Sequence, residues 1–315
     1  MSTGSRYAGA PRLSPLPSFT ASHRSPEAGW SPAPRVFAGK PVAPTPGVTR
    51  GVWYSLGMEF RLGTCGWSFD DWKGPFYPAG CKDQLAYYAE QFDSVEIDST
   101  WYHIPSRKVV ESWYRRTPDA FRFSAKMPGE VTHERRFREA ETVAAAFLAN
   151  IAGLEEKLAV ILVQFSPRIQ AGELTVVEGF LRGLPRDFDY AVEPRHKSWL
   201  QEPRLLELLR ELDMAIVQAD HAYYPFFDAT TAGHAYVRLL GRHGAHPDVS
   251  SIHDRRDDDI RQWAERLRSL PGSVERVFVY VNNQFEGHSP ATVRRVRELL
   301  PGAWTPPSAQ GMLDL

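Results

Sequence analysis

Residues 95–102 read VEIDSTWY, and the pattern of this short stretch decides the fold. Two carboxylates, Glu96 and Asp98, alternate with the branched residues Val95 and Ile97, and two large aromatic residues follow directly. Successive side chains of a β-strand point to opposite faces, so a strand here separates the acids from the aliphatic side chains. Such a strand fits a barrel whose apolar outer face packs against helices and whose inner face carries polar groups.

Short apolar runs of this kind recur along the chain, and helix-like segments lie between them. The predicted strands span residues 60–64, 94–98, 121–126, 159–164, 190–193, 215–219, 235–239 and 277–281. The predicted helices span residues 82–91, 108–116, 139–154, 172–183, 202–212, 257–269 and 291–300. Strand–helix alternation indicates parallel βαβ units, and eight strands predict a single TIM-type (β/α)8 barrel of the α/β class. An open doubly wound sheet is the alternative, but no G-x-G-x-x-G motif follows any predicted strand.

Residues 1–57 differ in composition from everything that follows. They hold nine of the 25 prolines and six basic residues, whereas Glu27 is their single acid. A segment rich in proline, serine and arginine buries too little apolar surface to offset the entropy lost on ordering. We therefore predict a disordered extension over residues 1–57, followed by a barrel domain over residues 58–315. Alternatively, Met58 is the true start, because the first predicted strand follows it directly.

The composition of the whole chain excludes several broad classes of protein. A net charge of −1 over 315 residues gives no support for bulk electrostatic binding to nucleic acid or to an anionic membrane. No apolar run approaches the roughly 18 residues that a membrane-spanning helix needs. The two cysteines, Cys65 and Cys81, are too few for a disulfide framework and lack metal-site spacing, which predicts a reducing cytoplasm.

The lumen of the predicted barrel is unusually polar for this fold. If the apolar residues of each strand face the helices, four acids and four bases face inward, and burial makes pairing or ligand contact compulsory. The predicted inward set is Arg61, Glu96, Asp98, Arg122, Lys126, Gln164, Glu193, Gln218, Asp220, Arg238 and Asn282.

Seven motifs, taken in order, carry a resemblance to a known family. They are GTCGWSFDDWKGPFYP (63–78), VEIDSTWYHIP (95–105), TPDAFRFSAK (117–126), VTH (131–133), VQFSP (163–167), VEPRHKSW (192–199) and YVNNQFEGHSP (280–290). Together they resemble the domain of unknown function 72, the YecE-like family, over nearly all of residues 59–300. The resemblance implies a TIM-type barrel without an established reaction. Asp98 stands where this family usually has asparagine, so hydrogen bonding is its expected contribution.

Three residues are the catalytic candidates. Glu96 and Glu193 end different strands, and a carboxylate pair across a barrel mouth suits general acid–base chemistry. The alternative is that both glutamates form salt bridges with Arg122, Lys126 or Arg195. Lys126 ends the third strand, where a lysine forms a Schiff base or holds a phosphate; ion pairing with Glu96 is the simpler interpretation.

Further residues are candidates for binding a substrate. Arg195 and Arg238 would hold negative charge, and Asn282 and Asn283 end the eighth strand, where this fold often binds phosphate. Asn283 has the alternative role of capping a local turn. The remaining candidates are Asp98, His133, His196 and Asp220, with the aromatic residues Trp67, Trp101, Tyr102 and Trp199 as surfaces for stacking on a sugar ring or a nucleobase.

These residues support two hypotheses from different classes. The first is an enzyme, a hydrolase or lyase, that acts by acid–base chemistry on an anionic, sugar-like or nucleotide-like substrate at the C-terminal mouth of the barrel. The second is a non-catalytic protein that binds nucleic acid or a small ligand there. A version of the first is a metal-dependent phosphodiesterase resembling endonuclease IV-like barrels, with a divalent ion on His133, Glu193, His196 and Asp220, although no spacing demands a metal.

Overall fold

Eight parallel strands, connected by helical segments, form the barrel that the alternation predicts. A computed structural model describes residues 58–300, so the predicted extension over residues 1–57 lies outside the described residues. The strands are β1 Glu59–Thr64, β2 Ser94–Ile97, β3 Arg122–Lys126, β4 Leu158–Gln164, β5 Tyr190–Glu193, β6 Ala215–Asp220, β7 His234–Leu239 and β8 Arg276–Val281. The helices are α1 Gln84–Gln91, α2 Arg107–Arg115, α3 Glu141–Ile151, α4 Leu174–Gly183, α5 Pro203–Glu211, α6 Asp257–Arg268 and α7 Ser289–Glu298.

Short helical turns precede or follow several strands. One of them, Glu130–Glu134 after β3, is a π-helical turn. The others are 3-10 turns at Asp70–Trp72, Ser99–Trp101, Ala152–Lys157, Ala171–Glu173, Lys197–Gln201 and Asn283–Phe285. Among the described helices, none is long and apolar enough to cross a membrane.

The sheet runs in the order β1-β8-β7-β6-β5-β4-β3-β2, so closure of the barrel depends on the seam between β1 and β2. Six residue pairs join β1 to β8. Across the seam, a single parallel bridge joins Cys65 to Glu96 within residues 58–300, and the Gly66 amide donates to the Glu96 carbonyl at 2.8 Å. The barrel is therefore nearly closed, and its seam closes at the C-terminal end.

Side chains fill the rest of the seam. The Tyr88 hydroxyl accepts from the Thr64 amide at 2.9 Å and donates to the Ser94 carbonyl at 3.1 Å, thereby linking β1 to β2. Asp93 Oδ1 accepts a further β1 amide proton at 3.1 Å. A Cβ atom on Gly63 would lie 1.9 Å from the Ser94 carbonyl oxygen, so this close approach requires glycine.

Two separate apolar layers surround the strands. The larger layer lies between strands and helices, and a smaller cluster fills the lumen with residues such as Val217, Tyr236 and Tyr280. The Tyr280 hydroxyl contacts the hydroxyls of Ser94 and Ser124 at 2.6 and 2.9 Å, so the lower lumen is closed by a tyrosine with satisfied hydrogen bonds.

The predicted orientation of the β6 side chains, with Gln218 and Asp220 facing the lumen, is wrong. Ala215, Val217 and Ala219 belong to the lumen cluster, and therefore Gln218 and Asp220 point outward. The Asp220 carboxylate accepts from Trp263 Nε1 of α6 at 2.8 Å, and Arg256 contacts it at 3.2 Å. An outward carboxylate is tolerated because the helix layer supplies an indole N–H and a guanidinium as partners.

Candidate functional site

The guanidinium of Arg238 forms the centre of the polar end of the lumen. Its side chain is 2% exposed, and Nη1 donates to Glu193 Oε2 at 2.7 Å while Nη2 donates to Glu96 Oε1 at 2.6 Å. Both glutamates are fully buried. Because isolated charges are not tolerated in a protein interior, these three residues, from β2, β5 and β7, must be treated as one ionic unit.

The remaining carboxylate oxygens in this unit are also satisfied. The Tyr236 hydroxyl donates to Glu96 Oε2 at 2.7 Å. Gln164 Nε2 donates to Glu193 Oε2 at 2.9 Å, and Arg195 Nε donates to Glu193 Oε1 at 3.1 Å. All four oxygens of the two glutamates therefore have a donor from the protein, and both carboxylates are held in fixed orientations.

The protonation of Glu193 follows from these contacts. Burial alone would raise the pKa of Glu193, but the guanidiniums of Arg195 and Arg238 outweigh burial and hold it at about 2. Glu193 is therefore ionised at neutral pH. Its predicted role in proton transfer stays a prediction, and its contacts favour a role in anchoring the two arginines.

A cavity of about 300 Å³ lies above this ionic unit, at the C-terminal mouth. Loops or strand ends from β2, β3, β5, β6, β7 and β8 contribute to its wall. The polar and aromatic residues that line it include Asp98, Lys126, Arg195, Tyr224, Arg238 and Asn282. Five of the predicted site residues, at the ends of five different strands, are thus brought to one cavity.

Lys126 is the cation of the cavity with the fewest partners. Its Nζ lies 3.6 Å from Asp98 Oδ1 and 5.5 Å from the centroid of the Trp101 ring. Burial lowers the pKa of Lys126, and the nearby Asp98 carboxylate offsets part of this change. The predicted ion pair between Lys126 and Glu96 is wrong, because Arg238 already occupies the Glu96 carboxylate.

Arg195 begins a stack of planar groups along one wall. Its guanidinium lies 4.4 Å from the centroid of the Tyr224 ring, and Nη1 donates to the Tyr224 hydroxyl at 3.3 Å. The His221 ring stacks on the same tyrosine at 3.7 Å with an interplanar angle of 11°. The stack fixes the orientation of the Arg195 side chain, which keeps its charge beside Glu193.

His133 is carried by the π-helical turn after β3. Its Nδ1 accepts from Trp101 Nε1 at 3.4 Å, and the Thr132 hydroxyl is 2.9 Å away. Burial, together with the positive charges of Lys126 and Arg195, lowers the pKa of His133 to about 4. The ring is neutral at physiological pH, and acceptance at Nδ1 places its proton on Nε2.

The segment that follows His133 has a strained backbone. Arg136, Phe137 and Glu139 adopt positive φ angles of 52°, 69° and 49°, a region that favours glycine. A π-helical turn and consecutive strained residues persist only where the surrounding structure holds them, and both features recur at functional sites.

The prediction that Trp199 offers an aromatic surface to a ligand is wrong. It is 1% exposed, and its Nε1 donates to the Ile169 carbonyl at 2.9 Å, so it has no face available for a ligand. Trp67 is partly buried and packs edge-on against Trp113 of α2. Tyr102, in contrast, is 70% exposed beside the Trp101 ring.

Two further predicted residues have local roles in the structure. Asn283 Oδ1 accepts from Trp72 Nε1 at 3.3 Å and from the Ser289 amide at 3.0 Å, which supports the capping alternative. His196 Nδ1 accepts from the Ser198 amide at 3.2 Å and caps the helical turn Lys197–Gln201.

The ligand set considered for a divalent ion is not brought together. Asp220 faces the helix layer, and within residues 58–300 one group has metal-ligating atoms that all lie within 4.8 Å of one another, namely Cys65, Glu96 and Asp98. Arg238 Nη2 lies 3.9 Å from Cys65 Sγ and 3.7 Å from Asp98 Oδ1. Burial and the Glu96 carboxylate raise the pKa of the Cys65 thiol, so it stays protonated beside the guanidinium.

Sequence reasoning missed Tyr236, whose hydroxyl donates to the Glu96 carboxylate. Tyr236 stands two positions before Arg238, and the same period-two alternation identifies it as facing the lumen.

Comparisons with known proteins agree with this architecture. The model of the family described as "Protein of unknown function DUF72" matches residues 61–311. The UPF0759 protein YecE of Escherichia coli is 32% identical over 115 residues, which span 36% of this chain and 42% of YecE. The UPF0759 protein YunF of Bacillus subtilis is 26% identical over 274 residues, covering 76% of this chain and 94% of YunF.

A solved structure shows the same fold. The crystal structure of a DUF72 family protein from Thermotoga maritima has a TM-score of 0.67 and 28% sequence identity, covering 76% of this chain and 98% of that chain. The eight-stranded barrel and the extent of the family match together lead to one conclusion: this chain belongs to the DUF72 family.

Proposed function

We propose that this protein is an enzyme that binds a small anionic, polyhydroxylated substrate at the barrel mouth and uses Lys126 for proton transfer. One observation carries the proposal. The Lys126 ammonium lies at the wall of the cavity, its pKa is lowered by burial, and Asp98 is its carboxylate partner within the described residues. A lysine whose pKa is lowered gives up its proton more readily, which suits it to general-base chemistry.

The residues around Lys126 have separate roles in the proposed reaction. Arg195 faces the same cavity and provides a planar donor pair for a carboxylate or phosphoryl group of the substrate. Asp98 is 31% exposed and lies 3.6 Å from Lys126 Nζ, near enough to stabilise the ammonium after it takes a proton. Glu96 and Glu193 hold Arg238 from below. Proton abstraction of this kind is the first step of a lyase reaction, and we take this as the reaction class.

The experiment combines a ligand screen with matched lysine variants. Melting temperature and turnover are measured with sugar phosphates, nucleotides and hydroxy acids for the wild type and for Lys126→Met. Lys157→Met is the control. Lys157 is also a buried lysine, but it directly precedes β4, at the opposite end of the barrel, and its ammonium donates to the Tyr114 and Thr117 carbonyls. We expect the first variant to lose turnover at least about a thousandfold while it still folds.

The control variant is expected to melt at a lower temperature but to keep its turnover per folded molecule. Retained turnover in Lys126→Met contradicts the proposal directly. Equal loss in both variants also contradicts it, because the loss then reports on stability alone.

A non-catalytic binding protein is the second candidate, and the stacked wall favours it. The Tyr224 ring lines the cavity and packs against Arg195 and His221, and the Tyr102 ring is 70% exposed. Aromatic rings at a cavity suit the binding of a sugar or a nucleobase. Ligands that raise the melting temperature of the wild type without any turnover, and equally so in Lys126→Met, would support this candidate.

A further inference from the structure

A second cavity, of about 550 Å³, adjoins the first at the barrel mouth. The loops after β6, β7 and β8 line it. The two cavities share His221, Gly241 and Gln284, so these three residues form a common wall. The arrangement accommodates one ligand that extends over this wall and occupies both compartments.

The loop after β7 places at the second cavity a guanidinium that has no partner among the described residues. The Arg242 side chain is exposed and lines the cavity. In the part of the chain that the structure describes, its guanidinium forms no hydrogen bond or ion pair with the protein. The same holds for the backbone amides of Arg242, His243 and Gly244. Donors that the protein leaves unused, one of them a guanidinium, are the groups that bind phosphoryl oxygens.

The loop is held rigidly in place. The Gln284 carboxamide forms two hydrogen bonds with the backbone of His246. Its Oε1 accepts from the His246 amide at 2.9 Å, and its Nε2 donates to the His246 carbonyl at 2.8 Å. Gly241 has a φ of +66°, and a Cβ atom there would lie 2.0 Å from the Gln284 carbonyl oxygen. The backbone of the loop is thus held at Gly241 and at His246 before any ligand arrives, which lowers the entropy cost of ordering its amides on binding.

The opposite wall carries one basic side chain and several acidic ones. Arg256 stacks on the Phe285 ring at 4.0 Å and pairs with Asp220 at 3.2 Å and with Asp259 at 2.6 Å. Asp254 also lines the cavity and is exposed, and a free carboxylate there suits hydroxyl donors of a ligand. A phosphoryl group beside Arg242, together with sugar hydroxyls near Asp254, satisfies both sets of unused groups.

We propose that the second cavity is a phosphoryl subsite, so that the substrate class is a sugar or nucleoside with two anionic groups. One group binds at Arg195, and the other binds at Arg242. This inference rests on the proposed function for the location of the first anionic group, and it adds a second group that the proposed function does not need.

The test measures binding of two defined probes by isothermal titration calorimetry. Ribose 5-phosphate carries one phosphoryl group, and ribulose 1,5-bisphosphate carries two. We expect the wild type to bind the bisphosphate at least about tenfold more tightly. Arg242→Met is expected to lose that tenfold difference while its affinity for the monophosphate changes less than about twofold.

The control is Arg255→Met, because Arg255 is 65% exposed, pairs with Asp257 and lines neither cavity. It should preserve the preference for the bisphosphate. The subsite is contradicted if the wild type binds neither probe, if both probes bind equally, or if Arg242→Met weakens both by the same factor. These failures leave the proposed function standing, since that depends on turnover in Lys126→Met.

Discussion

Replacing Arg238 with methionine removes the charge at the centre of the barrel mouth and should strongly destabilise the protein. Glu96 and Glu193 each lose a charged partner, at 2.6 and 2.7 Å, while both remain fully buried. Removing one partner of a buried ion pair costs about 3–5 kcal/mol, because the remaining charge is left uncompensated.

The pKa of Glu193 gives a second route to this magnitude. A fall from 4.5 to about 2 corresponds to about 3 kcal/mol, a contribution that is present above pH 4.5 and lost as the pH falls through 2. Arg195 and Arg238 share that contribution, and Glu96 loses its partner as well. We therefore expect Arg238→Met to lower the free energy of unfolding by about 4 kcal/mol at pH 8.

The expected loss also depends on pH. Without the Arg238 guanidinium, Glu193 loses one of the two arginine charges that oppose the effect of its burial, so its pKa rises. A protonated carboxyl contributes stability below its unfolded pKa, and that contribution is lost as the pH rises through the folded pKa. The difference between wild type and variant should therefore be smaller at pH 5 than at pH 8.

Urea unfolding, followed by tryptophan fluorescence at both pH values, measures these free energies. Arg204→Met is the matched control, because Arg204 contacts Glu211 at 2.5 Å and Glu178 at 3.2 Å on the exposed face of α5. The double variant Arg238→Met/Glu193→Gln removes one of the stranded charges and should be more stable than Arg238→Met. Equal losses for Arg238→Met and the control, or no recovery in the double variant, would refute the reasoning.

Three other predictions concern stability. Burial raises the pKa of Asp93 to about 6, so the contribution of Asp93 to stability is present below pH 4 and falls by about 3 kcal/mol as the pH rises through 6. Urea unfolding of Asp93→Asn between pH 4 and 8 should lack this decline in the free energy of unfolding. The same decline in the variant as in the wild type would contradict the prediction. Gly63→Ala forces a Cβ atom to within 1.9 Å of the Ser94 carbonyl oxygen and should cost at least about 2 kcal/mol, measured by thermal unfolding. Trp199→Phe removes the hydrogen bond to the Ile169 carbonyl and should lower stability by about 1–3 kcal/mol with no loss of ligand affinity, whereas weakened binding would restore the tryptophan to the site.

The alternation of apolar and polar residues was enough to predict the fold. Every predicted strand is present, and all eight agree with the prediction to within one residue at each end. The reason is physical: a buried parallel strand must be apolar toward the helices, and short turns separate it from the next element. The same rule correctly places Glu96, Lys126 and Arg238 at the inward face.

The rule failed on β6 because both of its faces are buried. The segment Ala215–Asp220 is apolar at three alternating positions, and those positions were assigned to the helix layer. The structure assigns them to the lumen, where small side chains leave room for Tyr236 and Tyr280 from β7 and β8. Asp220 finds its partners Trp263 and Arg256 about forty residues later, and the alternation within one strand contains no information about them.

The sequence also did not predict which acid pairs with which base in the site. Period-two alternation predicted the inward direction of Glu96, Glu193, Lys126 and Arg238 but not their pairing. Lys126 pairs with Asp98, whereas Arg238 takes Glu96 and Glu193. Which base reaches which acid depends on the height of each residue along the barrel axis, and that height follows from the strand register rather than from the sequence of any one strand.

The pairing of β1 has a consequence for synthesis of the protein. Glu59–Thr64 forms its six-residue ladder with β8, which emerges from the ribosome more than two hundred residues later, while its sequence neighbour β2 offers one bridge at the seam. A nascent chain that ends before Arg276 therefore has its first strand made but not yet paired. We expect such a chain to exchange freely the β1 amide protons that β8 accepts in the complete barrel, and to bind chaperones that recognise extended apolar segments, until the last strand is released. Protection of β1 in a chain truncated at residue 275 would show that the seam alone can hold it.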